Sequence, residues 1–256
     1  MKHIASRDNP SYKQLRKLAA SGRERGQAGR TLLDGVHLVE ACEQSWGPVE
    51  TLVVAASAQT RDEVARFVAG REITVIADAL MRDLGLVDSP SGLVAIAAVP
   101  TPVAVDLQKD AILLDGVQDP GNVGTLLRTA AAAGIGQALL GPGCAAAWSP
   151  KVLRAGQGAH FAMNVVEDAD LAGFMAGYRG TTAATTLGAH AISLYGAELA
   201  GPLAWIFGSE GQGVRPDLLT AARLRVHIPM PGAVESLNVA AAAAVCLFEM
   251  VRRRSP

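Results

Sequence analysis

Three short segments of this 256-residue chain combine Gly and Pro with the polar side chains that reaction chemistry uses. The first, D-G-V-Q-D-P-G-N-V-G-T-L-L-R-T-A from Asp115 to Ala130, sets a Gly/Pro turn before a helical pattern, with Asn122 as its predicted N-cap and Arg128 within the second turn. A helix start offers unpaired N–H donors and the positive end of the peptide dipoles. A guanidinium beside it would make a site for an anion. A plain cap at Asn122 and a salt bridge from Arg128 to Asp115 or Asp119 would use the same spacing. The second segment, I-F-G-S-E-G-Q-G-V from Ile206 to Val214, has three glycines within six residues, which let the backbone approach a ligand closely. Glu210 among them would repel phosphate and suits a neutral or cationic ligand; a Gly-rich turn with no ligand is the alternative. The third, H-I-P-M-P-G-A-V-E-S-L-N-V-A from His227 to Ala240, leads into the last helix. Ser236 is its predicted N-cap, and Asn238, a weak helix former in the first turn, fits a side-chain role.

Other chemistries lack the residues they need. G-P-G-C-A-A at Gly141–Ala146 has the form GxGxxA, but Pro142 fixes φ inside the turn and Pro150 interrupts the helix a dinucleotide site requires. No GK[ST] phosphate loop and no G-x-S-x-G elbow occurs. The five histidines (His3, His37, His160, His190, His227) never take metal-ligand spacing, so no metal is expected. Cys42, Cys144 and Cys246 lie far apart with no CxxC pair, which draws neither a disulfide framework nor a zinc cluster and fits a reducing cytoplasm.

The elements that must position the three segments alternate along the chain. Strands are predicted at Thr31–Leu33, Thr51–Ala55, Ile73–Ile76 and Leu93–Val99, with helices at Tyr12–Ala20, His37–Gln44, Thr60–Val68 and Asp78–Leu84. Pro100–Asp110, with two prolines and no helical period, reads as a linker. A second series follows: strands at Ala111–Leu114, Gln137–Leu140, Thr181–Thr186, Leu203–Phe207 and Leu224–Ile228, helices at Asn122–Ala133 and Leu237–Arg253. Runs such as A-I-L-L and L-A-W-I-F show no polar alternation and fit central parallel strands. The expected class is α/β throughout, in two domains, residues 1–100 and 108–256.

The succession N-V-G-T-L-L-R-T-A, I-F-G-S-E-G-Q-G, I-P-M-P-G-A-V-E-S-L-N-V-A-A-A, each after a strand, closely resembles the SpoU (TrmH-like) branch of the SPOUT RNA methyltransferases, over residues 111–253. The N-terminal N-P-S-Y-K-Q-L-R-K-L and L-L-D-G-V-H-L-V-E-A resemble the substrate-binding domain of ribosomal RNA members. The resemblance implies a parallel-sheet α/β fold with a C-terminal trefoil knot, a rare exception to unthreaded chains, preceded by a smaller α/β RNA-binding domain. It implies a homodimer formed through the C-terminal domain, S-adenosyl-L-methionine as cofactor, and methylation of a ribose 2′-hydroxyl. Carried over by position, Gly208, Gly213, Ile228, Met230 and Leu237 would hold the cofactor, largely through backbone groups. Asn122, Arg128, Glu210, Ser236 and Asn238 would form the catalytic set. A guanidinium keeps its proton at neutral pH. Arg128 is therefore expected to clamp a substrate phosphate and stabilise the developing alkoxide rather than act as base.

Charge and composition fit an RNA enzyme. Residues 1–30 hold eight basic side chains, among them Lys13, Arg16, Lys17, Arg23, Arg25 and Arg30, against two acidic ones, while the whole chain has a net charge of −1. Such a segment suits a polyanion, because Lys and Arg at phosphates release counterions; a solvated helix face is the other reading. With 50% apolar and 18% charged residues the chain is globular rather than disordered. Its longest uncharged apolar run, Val239–Phe248, has ten residues, about half of what a membrane span needs. The family resemblance, with its full-size N-terminal domain, implies large-subunit (23S) ribosomal RNA as the substrate. Transfer RNA methylation, and a non-catalytic RNA-binding assembly factor with the same fold, are the alternatives.

Overall fold

Strands without polar alternation need cover on both faces. In the computed structural model, which describes residues 2–87, 89–188 and 190–255, they lie in two sheets, one in each of two units. The first unit comprises Met1–Thr101 together with Trp148–Phe161. Its strands β1 (Lys2–Ile4), β2 (Arg30–Asp34), β3 (Thr51–Ala55), β4 (Thr74–Ile76) and β5 (Leu93–Ala98) take the order β1-β4-β3-β5-β2. β1, β4 and β3 are parallel; β5 runs antiparallel to both β3 and β2. The helices are α1 (Pro10–Ala20), α2 (Gly22–Ala28), α3 (Val36–Trp46), α4 (Asp62–Val68) and α5 (Asp78–Asp83). Asn9 caps α1 by accepting from the Ser11 N–H (2.9 Å), and Pro10 opens it. The buried stripe Tyr12, Leu15, Leu18 repeats at helical spacing. The predicted strands and helices of this half are present, with only their ends displaced. β1 and α2 are too short to show a period.

The second unit comprises Pro102–Ala147 and Ala162–Pro256. It opens with β6 (Ala111–Asp115), α6 (Pro120–Ala132) and β7 (Gln137–Leu140). The next helix, α7 (Pro150–Gly156), lies in the segment that belongs to the first unit. There the Thr31 hydroxyl donates to the Trp148 carbonyl (2.6 Å), and Arg154 Nη1 donates to Asp34 Oδ2 (2.6 Å). The chain then continues with β8 (Asn164–Val166), α8 (Leu171–Gly177), β9 (Thr181–Thr185), β10 (Ile192–Ser193), β11 (Leu203–Gly208), α9 (Pro216–Ala221), β12 (Leu224–His227) and α10 (Val239–Arg254). These seven strands form a parallel sheet in the order β10-β12-β9-β11-β6-β7-β8.

Successive side chains of β6 and β11 serve opposite faces. Leu113 and Ile206 pack with Leu171, Phe174 and Leu218 of α8 and α9. The neighbouring positions on β11, Trp205 and Phe207, are fully buried with their rings stacked at 6.1 Å. α10 packs against α6 and β11, and the Trp205 indole lies 3.5 Å from Met250 Sδ. Each such buried side chain contributes about 1.5–3 kcal/mol. This two-sided cover holds the strand ends, and hence the loops, in fixed register.

Candidate active site

β6, β11, β9 and β12 all run in one direction, so their carboxyl ends open on one side of the sheet, where open α/β layers bind ligands. The three Gly- and Pro-rich segments are the loops after β6, β11 and β12. Gly208 and Asp115, the last residues of β11 and β6, are register partners. A fourth loop was passed over in the sequence. β9 lies between β11 and β12, so the turn Thr186–Gly188, closed by the Gly188 N–H on Thr186 Oγ1 (3.2 Å), stands between two of the motif loops. It carries Leu187, 64% exposed. The predicted strand at Thr181–Thr186 leading into L-G was the available signal.

Two predicted caps are corrected. α6 starts at Pro120 under Asp119, whose Oδ1 accepts from the Asn122 N–H (2.8 Å), because a proline at N1 puts the cap one residue earlier. Asn122 therefore sits inside the first turn with its side chain free for other work. α10 starts at Val239 under Asn238, whose Oδ1 accepts from the N–H groups of Ala240 (2.9 Å) and Ala241 (3.3 Å). Ser236, the expected cap, lies two residues before it in an exposed loop.

Three of the five expected polar residues meet. Asn122 Nδ2 donates to Glu210 Oε1 at 2.6 Å, and Asn122 Oδ1 accepts from Asn238 Nδ2 at 2.9 Å. Both amide orientations follow from this chain. Capping fixes Asn238 Oδ1 toward α10, which turns its Nδ2 to Asn122 and leaves the Asn122 amide to donate to Glu210. Glu210 retains a second oxygen without a hydrogen-bond partner among the described residues. Ser236 makes no side-chain hydrogen bond among them.

Arg128 is exposed on α6, two turns beyond Asn122, with no ion pair or hydrogen bond among the described residues. Its two proposed acidic partners are engaged elsewhere: Asp119 caps α6, and Asp115 holds the Arg215 backbone N–H (2.8 Å) and Nε (2.9 Å). The guanidinium is left to solvent.

The residues expected to hold a cofactor sit at the same strand ends. A Cβ on Gly208 would fall 2.0 Å from the Gly213 carbonyl carbon and 2.1 Å from Val214 N, so only glycine lets the loop fold back this tightly. Ser209 and Gly213 close it with paired backbone bonds of 3.2 and 2.9 Å, Gly213 taking φ +70°. Ile228 and Met230 are half-buried beyond β12, and residues 231–238 are exposed, Leu237 by 41%. Thiolate chemistry is disfavoured. Burial pushes the Cys42 thiol to about 11 and Cys246 to about 12, and lifts Cys144 above its ordinary value. No metal-binding cluster of His, Cys, Asp or Glu exists among the described residues, and no helix is long and apolar enough to cross a membrane.

In the first unit, the basic residues divide. Arg25 is buried, with Nη1 donating to the Leu18 (2.8 Å) and Ala19 (3.3 Å) carbonyls at the end of α1. It seals a helix terminus rather than facing outward, a correction to its expected role at RNA. Lys13 pairs with Asp8 (3.0 Å), Arg16 with Asp83 (3.7 Å) and Arg30 with Glu50 (2.6 Å). Lys17 and Arg23 are exposed without a partner among the described residues.

A model of the SpoU rRNA Methylase family matches residues 110–248, and one for an MRM3-like substrate binding domain matches residues 9–95. The chain is similar to 23S rRNA (guanosine(2553)-2′-O)-methyltransferase RlmP of Bacillus subtilis, 31% identical over 261 residues that cover 98% of this chain and 99% of that protein. Among solved structures, an RNA 2′-O ribose methyltransferase superposes with a TM-score of 0.83 at 30% identity, covering 98% of this chain and 99% of the other. An AdoMet-bound rRNA methyltransferase from Sinorhizobium meliloti superposes with a TM-score of 0.81 at 28% identity, covering 100% and 99%.

Proposed function

The chain belongs to the SpoU rRNA methylase family, and from that premise we propose that it is an S-adenosylmethionine-dependent RNA methyltransferase acting on a ribose 2′-hydroxyl of 23S ribosomal RNA. The observation that carries this reading is the Asn122–Glu210–Asn238 hydrogen-bond chain, which ties together one residue from each motif loop.

The residues present fit the cofactor. Within the Gly208–Gly213 turn, Gly211 and Gly213 are exposed with no atom within 4 Å of a Cβ position, and Glu210 has one carboxylate oxygen to offer a cation. Gly208, Gly213, Ile228, Met230 and Leu237 would hold it. When bound, S-adenosylmethionine supplies an electrophilic methyl group on a sulfonium. Asn122, by binding both Glu210 and Asn238, keeps the loops at one spacing, and orientation of this kind supplies much of the rate in a two-substrate reaction. Arg128, its guanidinium free in solvent, binds a substrate phosphate and stabilises negative charge on the 2′-oxygen as its proton leaves to phosphate or water. Ser236, exposed beside Leu237, completes the polar set toward the RNA.

Lys13, Arg16, Lys17, Arg23 and Arg30 of the first unit meet the RNA backbone in this reading, with Lys17 and Arg23 the most available. It also carries the family's knotted chain, a cytoplasmic location, and a homodimer through the second unit. The homodimer is supported by the apolar Phe248, 48% exposed, on α10.

Two measurements test the reading. Calorimetric titration with S-adenosylmethionine should show binding in the micromolar range; none at high micromolar concentration would favour a non-catalytic assembly factor. Mapping 2′-O-methyl marks across stable RNAs of cells with and without the protein should show one mark missing from 23S rRNA. A mark missing from transfer RNA instead would overturn the ribosomal assignment.

A further inference from the structure

We propose that Asp115 is a positioning residue for the cofactor loop, acting through Arg215. This rests on the reading of the Gly208–Gly213 turn as part of the cofactor seat. Asp115 ends β6 with only 5% of its side chain exposed. A buried carboxylate is costly unless it is paired and hydrogen-bonded, and both oxygens are used: Oδ2 accepts from the Arg215 backbone N–H (2.8 Å), and Oδ1 forms an ion pair with Arg215 Nε (2.9 Å). One residue is thus gripped by main chain and side chain together.

The place of the grip matters. Arg215 directly follows Val214, where the β11 loop comes back to the sheet, and precedes the first residue of α9, Pro216. Within that loop, Ser209 and Gly213 close a backbone bridge, and Gly208 has no room for a Cβ because Gly213 and Val214 lie against it. Asp115 fixes the returning strand of the loop, and Asn122 holds its tip through Glu210 at 2.6 Å. Both residues belong to the single connection from β6 to α6, so the two loops are stitched at base and tip. Release of the base frees Val214 to move away from Gly208, and the backbone groups of Gly208 and Gly213 lose their common geometry. Bond geometry also separates the two contributions. The backbone bond needs any acceptor at position 115. The guanidinium bond needs a cation at position 215, and the Arg215 side chain is 52% exposed, so it can be altered without opening the core.

The experiment uses the full chain and S-adenosylmethionine itself as the probe in calorimetry, with thermal unfolding of each variant measured alongside. Arg215→Gln keeps the backbone bond and removes the cation; a rise in Kd of about five-fold is expected, with a lowered midpoint of unfolding but a chain still folded at the titration temperature. Arg215→Lys should restore most of that affinity, since an ammonium reaches the same carboxylate. Asp115→Asn weakens both bonds, and a rise of about ten-fold or more is expected. The double variant should bind no more weakly than Asp115→Asn alone, because both changes break one contact. Parental affinity in folded Arg215→Gln, or losses that multiply in the double variant, overturns the inference. Should Asp115→Asn not fold, the Gln and Lys variants at position 215 decide it. Absence of binding by the parent chain is a different result: it removes the cofactor reading on which this inference stands.

Discussion

Removal of the Arg154 guanidinium is expected to destabilise the first unit by about 3 kcal/mol, within the range for breaking one partner of a buried pair and reduced for a half-exposed arginine. Asp34 ends β2 with its side chain fully buried, while Arg154 is 41% exposed. The carboxylate accepts from the Ser91 N–H (3.2 Å) and hydroxyl (3.0 Å) on one oxygen and from Arg154 (2.6 Å) on the other. Arg154→Met keeps the stem and leaves the second oxygen buried without a donor. The direction with pH follows from the carboxyl itself. Burial raises its pKa above the ordinary value, against the lowering pulls of Ser91 and Arg154. Loss of Arg154 raises it further. An acid that binds its proton more tightly when folded stabilises the fold when protonated, and that contribution disappears as pH rises from the ordinary carboxylate value through the raised one. The penalty of Arg154→Met is therefore largest near about pH 7 and shrinks toward about pH 4, close to the unfolded carboxyl's own pKa. Urea unfolding followed by tryptophan fluorescence suits the test, because Trp46 and Trp148 lie 5.9 Å apart in this unit. Asp34→Asn in the Arg154→Met background should recover most of the loss. A penalty below about 1 kcal/mol, as for an exposed pair, or one that does not change between the two pH values, would refute the reasoning.

Three further expectations concern the site and the core. Arg128→Ala should leave S-adenosylmethionine affinity within about two-fold while methyl transfer to RNA falls by about 100-fold or more, as for loss of a charge-stabilising donor; full activity in Arg128→Lys would show that a planar bidentate clamp is not needed. Gly208→Ala puts a Cβ about 2 Å from the Gly213–Val214 backbone, so calorimetry should find cofactor binding abolished, with destabilisation of about 1–3 kcal/mol from overpacking; unchanged binding would mean the loop is not the seat. Tyr12→Phe removes a hydroxyl lying 2.9 Å from the Leu80 carbonyl and 2.8 Å from Asp83, its pKa pushed to about 12 first by burial and then by Asp83. Chemical denaturation should show a loss of about 1–2 kcal/mol.

Element type was legible where an unbroken apolar run or a helical spacing was long enough to stand out. A-I-L-L and L-A-W-I-F read as buried parallel strands and became β6 and β11, the centre of the sheet. β10, with two residues, and β8, with three, carry no such pattern; pairing to β12 and β7 makes them strands. The caps went astray by one mechanism, since short polar residues cluster before both helices and sequence alone does not rank them. Pro120 was the usable clue, because a proline at N1 places the cap at Asp119. Arg25 looked like its basic neighbours, and only the fold turns it toward the α1 carbonyls. Nor does any composition shift mark Trp148–Phe161 as a piece of the first unit. What assigns it there is the contact made by Thr31, Asp34 and Trp46, all distant in sequence.

Local roles do not account for the polar residues of the three motifs. Asn238 is a helix cap, and an N-cap serine would satisfy the same N–H groups about as well. Serine has no amide to donate onward, however, and the Asn238 Nδ2 reaches Asn122 across 116 positions of sequence. Asn122 contributes nothing to capping α6, because Asp119 does that, and asparagine is a weak helix former within the first turn. Its side chain is explained by the contacts to Glu210 and Asn238 alone. Glu210, in turn, stands on a turn so tight that Gly208 has no space for a Cβ. Local stability would be served better by another residue at position 122, and the tight turn at Gly208 is a fold that admits glycine alone. What the residues present do instead is hold three loops in one arrangement at the open end of a parallel sheet, beside a carboxylate oxygen left for a cation. A binding site uses such features, and a merely stable fold does not require them.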